Sequence, residues 1–160
     1  MSKAPGKAEG KSPSPEERLV CDHKKARFHY EVLETYTAGL VLMGTEVKVM
    51  REGKMTLDES YARVQEGECW LIGANIPEYS HGNLQNHEPK RKRKCLLHRR
   101  EIQKLQAKSQ QQGLTLVALK VWFSTKGFAK VTIGVCKGRK THDKRQHLRD
   151  KDARREIRER

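Results

Sequence analysis

The sequence predicts a mostly β, α+β fold: a small OB-like β-barrel with flanking helices, followed by a disordered basic C-terminal tail. Two hairpin signals, two intervening helical stripes and one highly charged terminal segment support that prediction. Residues 1–22 are expected to be a flexible leader, residues 23–136 the folded body and residues 137–160 the tail. The leader combines Pro, Gly and Ser with Lys and Glu, a composition that cannot build a core.

His23-Lys24-Lys25-Ala26-Arg27 is a basic entry to the body. It is either a solvated strand end or an RNA contact made by Lys24, Lys25 and Arg27. Phe28 to Glu34 is rich in aromatic and β-branched residues and reads as a strand, with Gly39 as its break. Leu40, Met43, Val47 and Met50 then recur at helical spacing. That stripe is expected to pack in the core, leaving Glu46, Lys48 and Arg51 for the surface. Gly44 or Thr45 should start this helix and Gly53 end it.

Leu57 to Val64 and Cys69 to Asn75 are apolar runs around Gln65-Glu66-Gly67-Glu68, a hairpin signal. Pro77 to Pro89 is polar and reads as a long loop. Lys90-Arg91-Lys92-Arg93-Lys94 opens a run with eight basic residues and one acid as far as Lys104. Leu97, Ile102 and Leu105 trace a helical face that ends near Gly113. Five cations just before, or on the first turn of, that helix would oppose its dipole. Solubility does not require such placement, so Arg91, Arg93 and Lys94 are candidate RNA contacts. Leu114 to Phe123 and Phe128 to Cys136 form a second hairpin. Val117, Leu119, Val121 and Phe123 should share the core face with Ala129, Val131, Ile133 and Val135, leaving Lys130 and Thr132 on a polar face.

The tail from Lys137 to Arg160 has eleven Lys or Arg and five Asp or Glu, with Leu148 and Ile157 its large apolar residues. It cannot offset its ordering entropy by burial and is expected to be disordered alone. It lacks Gly and Pro after His147, and its Asp150–Arg154 and Glu156–Arg160 spacings favour a helix once its charge is neutralised.

The whole chain of 160 residues carries a net charge of +14, which points to a polyanionic partner. No long apolar run or apolar leader is present, so a soluble cytoplasmic protein is expected, with no membrane role. The four cysteines lie far apart and contain no zinc-ribbon spacing, so they are expected as reduced thiols, without metal or other cofactor. No phosphate-cradling glycine loop or convergent acid–base set argues for an enzyme.

Beyond these readings, the chain resembles the SsrA-binding protein (small protein B) family. The landmarks are Lys25-Ala26-Arg27, Ala38-Gly39-Leu40, Gly44-Thr45-Glu46-Val47-Lys48, Asp58-Glu59-Ser60-Tyr61, Arg93-Lys94-Cys95-Leu96-Leu97, Gly113-Leu114-Thr115-Leu116-Val117, and Gly138-Arg139-Lys140 leading to His142-Asp143-Lys144-Arg145. The resemblance implies an OB-like body that binds the tRNA-like domain of tmRNA and delivers it to stalled ribosomes for trans-translation. It also implies that the tail lies along the empty mRNA channel and becomes helical there, against small-subunit rRNA at the decoding centre. DNA is not an implied partner. Leu96 and Lys130 match the family's tmRNA-contact positions, and His142 matches a residue that stacks on a decoding-centre base. Asp143, Lys144 and Arg145 follow it, and Lys137, Arg139 and Lys140 would hold phosphates. Thr37, Cys95 and His23 depart from the usual family residues Glu, Leu and Asn. The competing reading is a general ribosome-associated OB-type RNA-binding protein.

Overall fold

The computed structural model describes residues 17–82, 85–139, 145 and 148–155. Its centre is a seven-stranded antiparallel sheet with the order β1-β6-β7-β2-β5-β4-β3. The strands are β1 (Arg18–Asp22), β2 (Tyr30–Leu40), β3 (Tyr61–Gln65), β4 (Glu68–Ile72), β5 (Arg93–Leu96), β6 (Leu114–Phe123) and β7 (Ala129–Gly138). Three helices flank them: α1 (Lys24–His29), α2 (Gly44–Arg51) and α3 (Arg99–Ser109). The sheet has β1 and β3 as edges and does not close into a ring, yet β3 curls round to pack against β6. This is the partly open, OB-like form of the expected barrel.

Both expected hairpins are present. Glu66 and Gly67, with φ of 53° and 74°, join β3 to β4 in a two-residue turn between the paired Gln65 and Glu68. β6 and β7 pair from Leu114↔Lys137 to Phe123↔Ala129. A register shift between Ala118 and Lys120 changes the expected facing pattern. It turns Val117 and Leu119 away from the main core, while Leu116, Ala118, Val121 and Phe123 join it. One extra residue in a strand is enough to reverse a period of two. The other sheet face is also not uniformly polar. Ala26 of α1 packs there with Val117, Leu119 and Cys136 in a second small core.

Several boundaries differ from the sequence reading. β1 lies inside the segment assigned to the leader and pairs with β6. The basic entry is α1 rather than a strand end. β2 runs straight through Gly39, which pairs with both Leu96 and Lys130. Arg93 and Lys94 belong to β5, so the basic run does not oppose a helix dipole there. At its other end the body extends past residue 136. Lys137 and Gly138 complete β7, and the Arg139 N–H donates to the His29 carbonyl at 2.9 Å.

α2 buries Val49 and Met50 as its core face, and with them Glu46; Met43 is exposed. The loop after β4 is pinned from within. Asn86 Nδ2 donates to the Tyr79 carbonyl at 2.6 Å, and Asn86 Oδ1 accepts the Tyr79 N–H at 3.0 Å. Buried His87 bridges the Thr45 hydroxyl at 2.8 Å and the Ile76 carbonyl at 2.9 Å.

Candidate nucleic-acid interface

The sheet face opposite the main core holds the candidate interface. A single cross-strand row runs Trp122–Lys130–Gly39–Leu96 over β6, β7, β2 and β5. Leu96 is 53% exposed, an unusual state for a strand leucine beside a core. Lys130 is half-buried on the same row. Gly39 lies between them as the floor. A Cβ there would lie 3.4 Å from Leu96 Cβ, so the glycine keeps the space between cation and leucine open.

The adjacent row is Lys120–Thr132–Thr37. Lys120 Nζ stands 5.2 Å from the centre of the Trp122 ring, and Thr37 is exposed. On the β4 side, Trp70 lies opposite both Lys94 and Arg63, with Lys92 Nζ 4.5 Å above its ring. Lys94 also pairs with Glu68 at 2.9 Å. Trp122, Lys120 and Thr132 are buried, so the accessible part of this face is the half-buried Trp70 with Lys92 and Lys94, together with Lys130, Thr37 and Leu96. These side chains offer phosphate neutralisation and an apolar contact. Neither tryptophan was singled out from sequence. Their signal is a Lys or Arg two strand positions away or directly opposite, on a face that carries few other apolar side chains.

α1 caps one end of this face. Ala26 anchors it, leaving Lys24, Lys25 and Arg27 exposed. His23 precedes the helix and is buried. Its Nδ1 lies 3.0 Å from the Ala118 carbonyl, and its backbone N–H donates to the Leu119 carbonyl at 2.7 Å. The helix start is thereby tied to the β6 bulge.

Arg93 does not belong to the interface. It is completely buried, its Nε paired with Glu46 and its other nitrogens donating to the carbonyls of Ala74 at 2.8 Å and Pro89 at 3.0 Å. Its place in the basic run concealed this, because strand alternation sends Arg93 and Cys95 inward while Lys94 and Leu96 face out. Arg91 is an intermediate case, bonded to the same Glu46 at 2.5 Å but with 31% of its side chain exposed. Burial disfavours the Glu46 charge. Arg91, the Met43 N–H and Arg93 outweigh that cost and hold the carboxyl below its ordinary pKa. Glu46, expected on the surface, is thus the internal counter-ion of the basic run.

Among the tail candidates, Lys137 is exposed on β7 and Arg139 Nε donates to the Tyr30 carbonyl at 3.3 Å, so both belong to the body's edge. Arg145 is helical and exposed, as are residues 148–155. Lys140, His142, Asp143 and Lys144 lie outside the described residues.

A separate cleft lies between α2 and the pinned loop, lined by Met43, Thr45, Lys48, Tyr79, His81 and Gln85. Lys48 Nζ is 5.3 Å from the Tyr79 ring centre. No helix among the described residues is long and apolar enough to cross a membrane.

Comparison with known proteins shows the family. The family model described as SmpB protein matches residues 20–160. The SsrA-binding protein of Sphingopyxis alaskensis is 52% identical over 139 residues, covering 87% of this chain and 86% of its own. That of Agrobacterium fabrum is 51% identical over 135 residues, covering 84% of each. A chain of the solved structure "tmRNA-SmpB: a journey to the center of the bacterial ribosome" superposes with a TM-score of 0.65 at 46% identity, covering 76% of this chain and 85% of the other. With a family match that spans nearly the whole described sheet and relatives identical at half their positions, this chain belongs to the SmpB protein family.

Proposed function

We infer that this chain is an RNA-binding adaptor, not an enzyme, that binds tmRNA and acts with it on stalled ribosomes in trans-translation. The observation that supports this most is the Trp122–Lys130–Gly39–Leu96 row in a member of the SmpB family. Exposed leucine, cation and open glycine floor form a shaped surface, which suits a folded RNA element better than a plain phosphate lattice would require.

In this reading the tRNA-like domain of tmRNA lies on the outer sheet face, against Leu96, Lys130 and Lys94. Lys24, Lys25 and Arg27 of α1 bind its backbone at the end of that face. Arg91 contributes from the rim, and Arg93 acts only by holding β5. Lys140, His142, Asp143, Lys144 and Arg145 enter the decoding centre and mRNA channel, launched from Lys137 and Arg139 at the end of β7. The cytoplasm, where ribosomes stall, is the corresponding compartment.

The test is a competition at physiological salt. Labelled tmRNA is offered against excess bulk tRNA and a length-matched duplex RNA. Retention of tmRNA is the expected result. Equal competition by all three would mean that the charge of +14 explains binding, as in a general RNA-binding protein.

A further inference from the structure

Cys69 and Cys95 stand opposite each other in the β4–β5 ladder. Both are free thiols in the main core, 0% and 1% exposed. Directly opposed residues of antiparallel strands have Cα atoms about 4.5 or 5.5 Å apart, according to their hydrogen bonding. Either spacing lies inside the roughly 4.4–6.8 Å that a disulfide spans. The two side chains share one sheet face and both point into the main core. Cys21 and Cys136 face Val121 and Val32 or Thr115 instead.

We propose that Cys69 and Cys95 are a redox modification site, converted by a hydroperoxide into an intramolecular disulfide that clamps β4 to β5. The Cys69 thiolate attacks one peroxide oxygen. The O–O bond breaks, Cys69 becomes a sulfenic acid, and the departing oxygen takes up a proton to leave as water or an alcohol. The Cys95 sulfur then attacks the sulfenic sulfur. The S–S bond forms, the S–O bond breaks, and the hydroxyl leaves as water with the Cys95 proton. Two electrons pass from the thiol pair to the peroxide, and a dithiol reductant reverses the bond by exchange.

The surroundings select this pair. Burial pushes Cys136 up to about 11, and burial with Asp22 nearby pushes Cys21 up to about 12, so both remain thiols. The Cys95 thiol beside it lowers the pKa of Cys69, whereas Cys69 and burial together raise that of Cys95, so the first attack is written from Cys69. β5 is four residues long and meets β2 through Gly39 and Leu40. The pair is buried and Arg93 ties β5 to Glu46, Ala74 and Pro89, so a small oxidant reaches it through local opening of the β4–β5 ladder. In a reducing compartment such a bond is transient, as a regulatory disulfide must be.

The residues flanking Cys95 are Lys94 and Leu96, on the outer face of β5. A disulfide holds its Cβ atoms about 3.8 Å apart and so re-twists β5 beneath both. The effect on RNA binding rests on the function proposed above; the bond itself does not.

Full-length protein is treated with hydrogen peroxide, denatured, alkylated, digested and mapped by mass spectrometry. A linked Cys69–Cys95 peptide is expected, cleared by dithiothreitol, with Cys21 and Cys136 alkylated. No linked peptide, or equal oxidation of all four cysteines, would overturn the site. On the same samples, tmRNA affinity should fall at least threefold on oxidation, recover on reduction, and stay constant in Cys69→Ala. A linked peptide with unchanged affinity would overturn the regulatory effect. Failure of the reduced protein to bind tmRNA would count against the RNA reading alone, since the peptide map decides the bond independently.

Discussion

Glu46 and Arg93 lie 47 positions apart and form an ion pair that neither side chain exposes to water. The pair ties the first turn of α2 to β5, and Arg93 extends it to Ala74 and Pro89 on the connecting loop. Two neighbouring cations can be buried or half-buried here because one carboxylate accepts from both, with the Met43 N–H as a third donor at 2.9 Å.

Breaking that pair should therefore damage the fold before it touches RNA binding. Arg93→Glu leaves two carboxylates facing each other in the core and should cost about 3–5 kcal/mol or more. Urea denaturation followed by circular dichroism measures it. Arg93→Glu stability within about 1 kcal/mol of the parent would mean that the pair is not the hinge of this region.

The same pair makes a pH prediction. The folded pKa of Glu46 is held below the ordinary 4.5, by Arg91, the Met43 N–H and Arg93 against the opposing effect of burial. A depressed folded pKa contributes stability above the unfolded pKa, and the contribution is lost as pH falls through the folded value. The stability gap between the parent and Glu46→Gln should be full at neutral pH and shrink on acidification below about 4.5. Denaturation at three pH values checks the trend, and a gap that widened in acid would contradict the sign.

Leu96 and Lys130 are two positions on one row, bridged by Gly39, and should fail in different ways. Lys130→Ala removes a phosphate partner and should lower the salt slope of tmRNA binding by about one. Leu96→Asn should weaken affinity several-fold with the slope unchanged, because an apolar contact releases no counterions. Filter binding from low to high salt separates the two. Identical slopes for Lys130→Ala and the parent would remove Lys130 from the RNA surface.

Deleting residues 140–160 should leave tmRNA affinity within about twofold while abolishing tagging on stalled ribosomes. Cutting at Lys137 instead would shorten β7 and remove Arg139 from His29 and Tyr30, confounding the result. A parallel loss of binding and tagging in the 140–160 deletion would dissolve the division between body and tail.

Gly73 tests the turn that follows β4. It has φ of 83°, and a Cβ there would lie 2.9 Å from the Glu59 carbonyl oxygen. Gly73→Ala should cost at least about 1–2 kcal/mol by thermal melting. An unchanged melting temperature would show that the β4 exit can shift freely.

Composition and local pattern alone determined the class of partner, both hairpins, α3 and the basic tail. These follow from charge and from periods of two and 3.6, which act between near neighbours. The family resemblance also marked Leu96 and Lys130 as contact positions, and both lie on one outer row. The tertiary structure decided what each residue faces. Five cations in succession look equivalent along the chain, yet the pleat of β5 sends Arg93 inward to Glu46 and Lys94 outward to Trp70. The bulge at Ala118 and Lys120 moved Val117 and Leu119 onto a second core, and α1 covered it with Ala26. β1 is a five-residue run directly after a Pro- and Ser-rich leader, too short to show a period of its own, and it gains strand structure by pairing with β6. Burial, register and counter-ions depend on residues tens of positions away, and no local period encodes them.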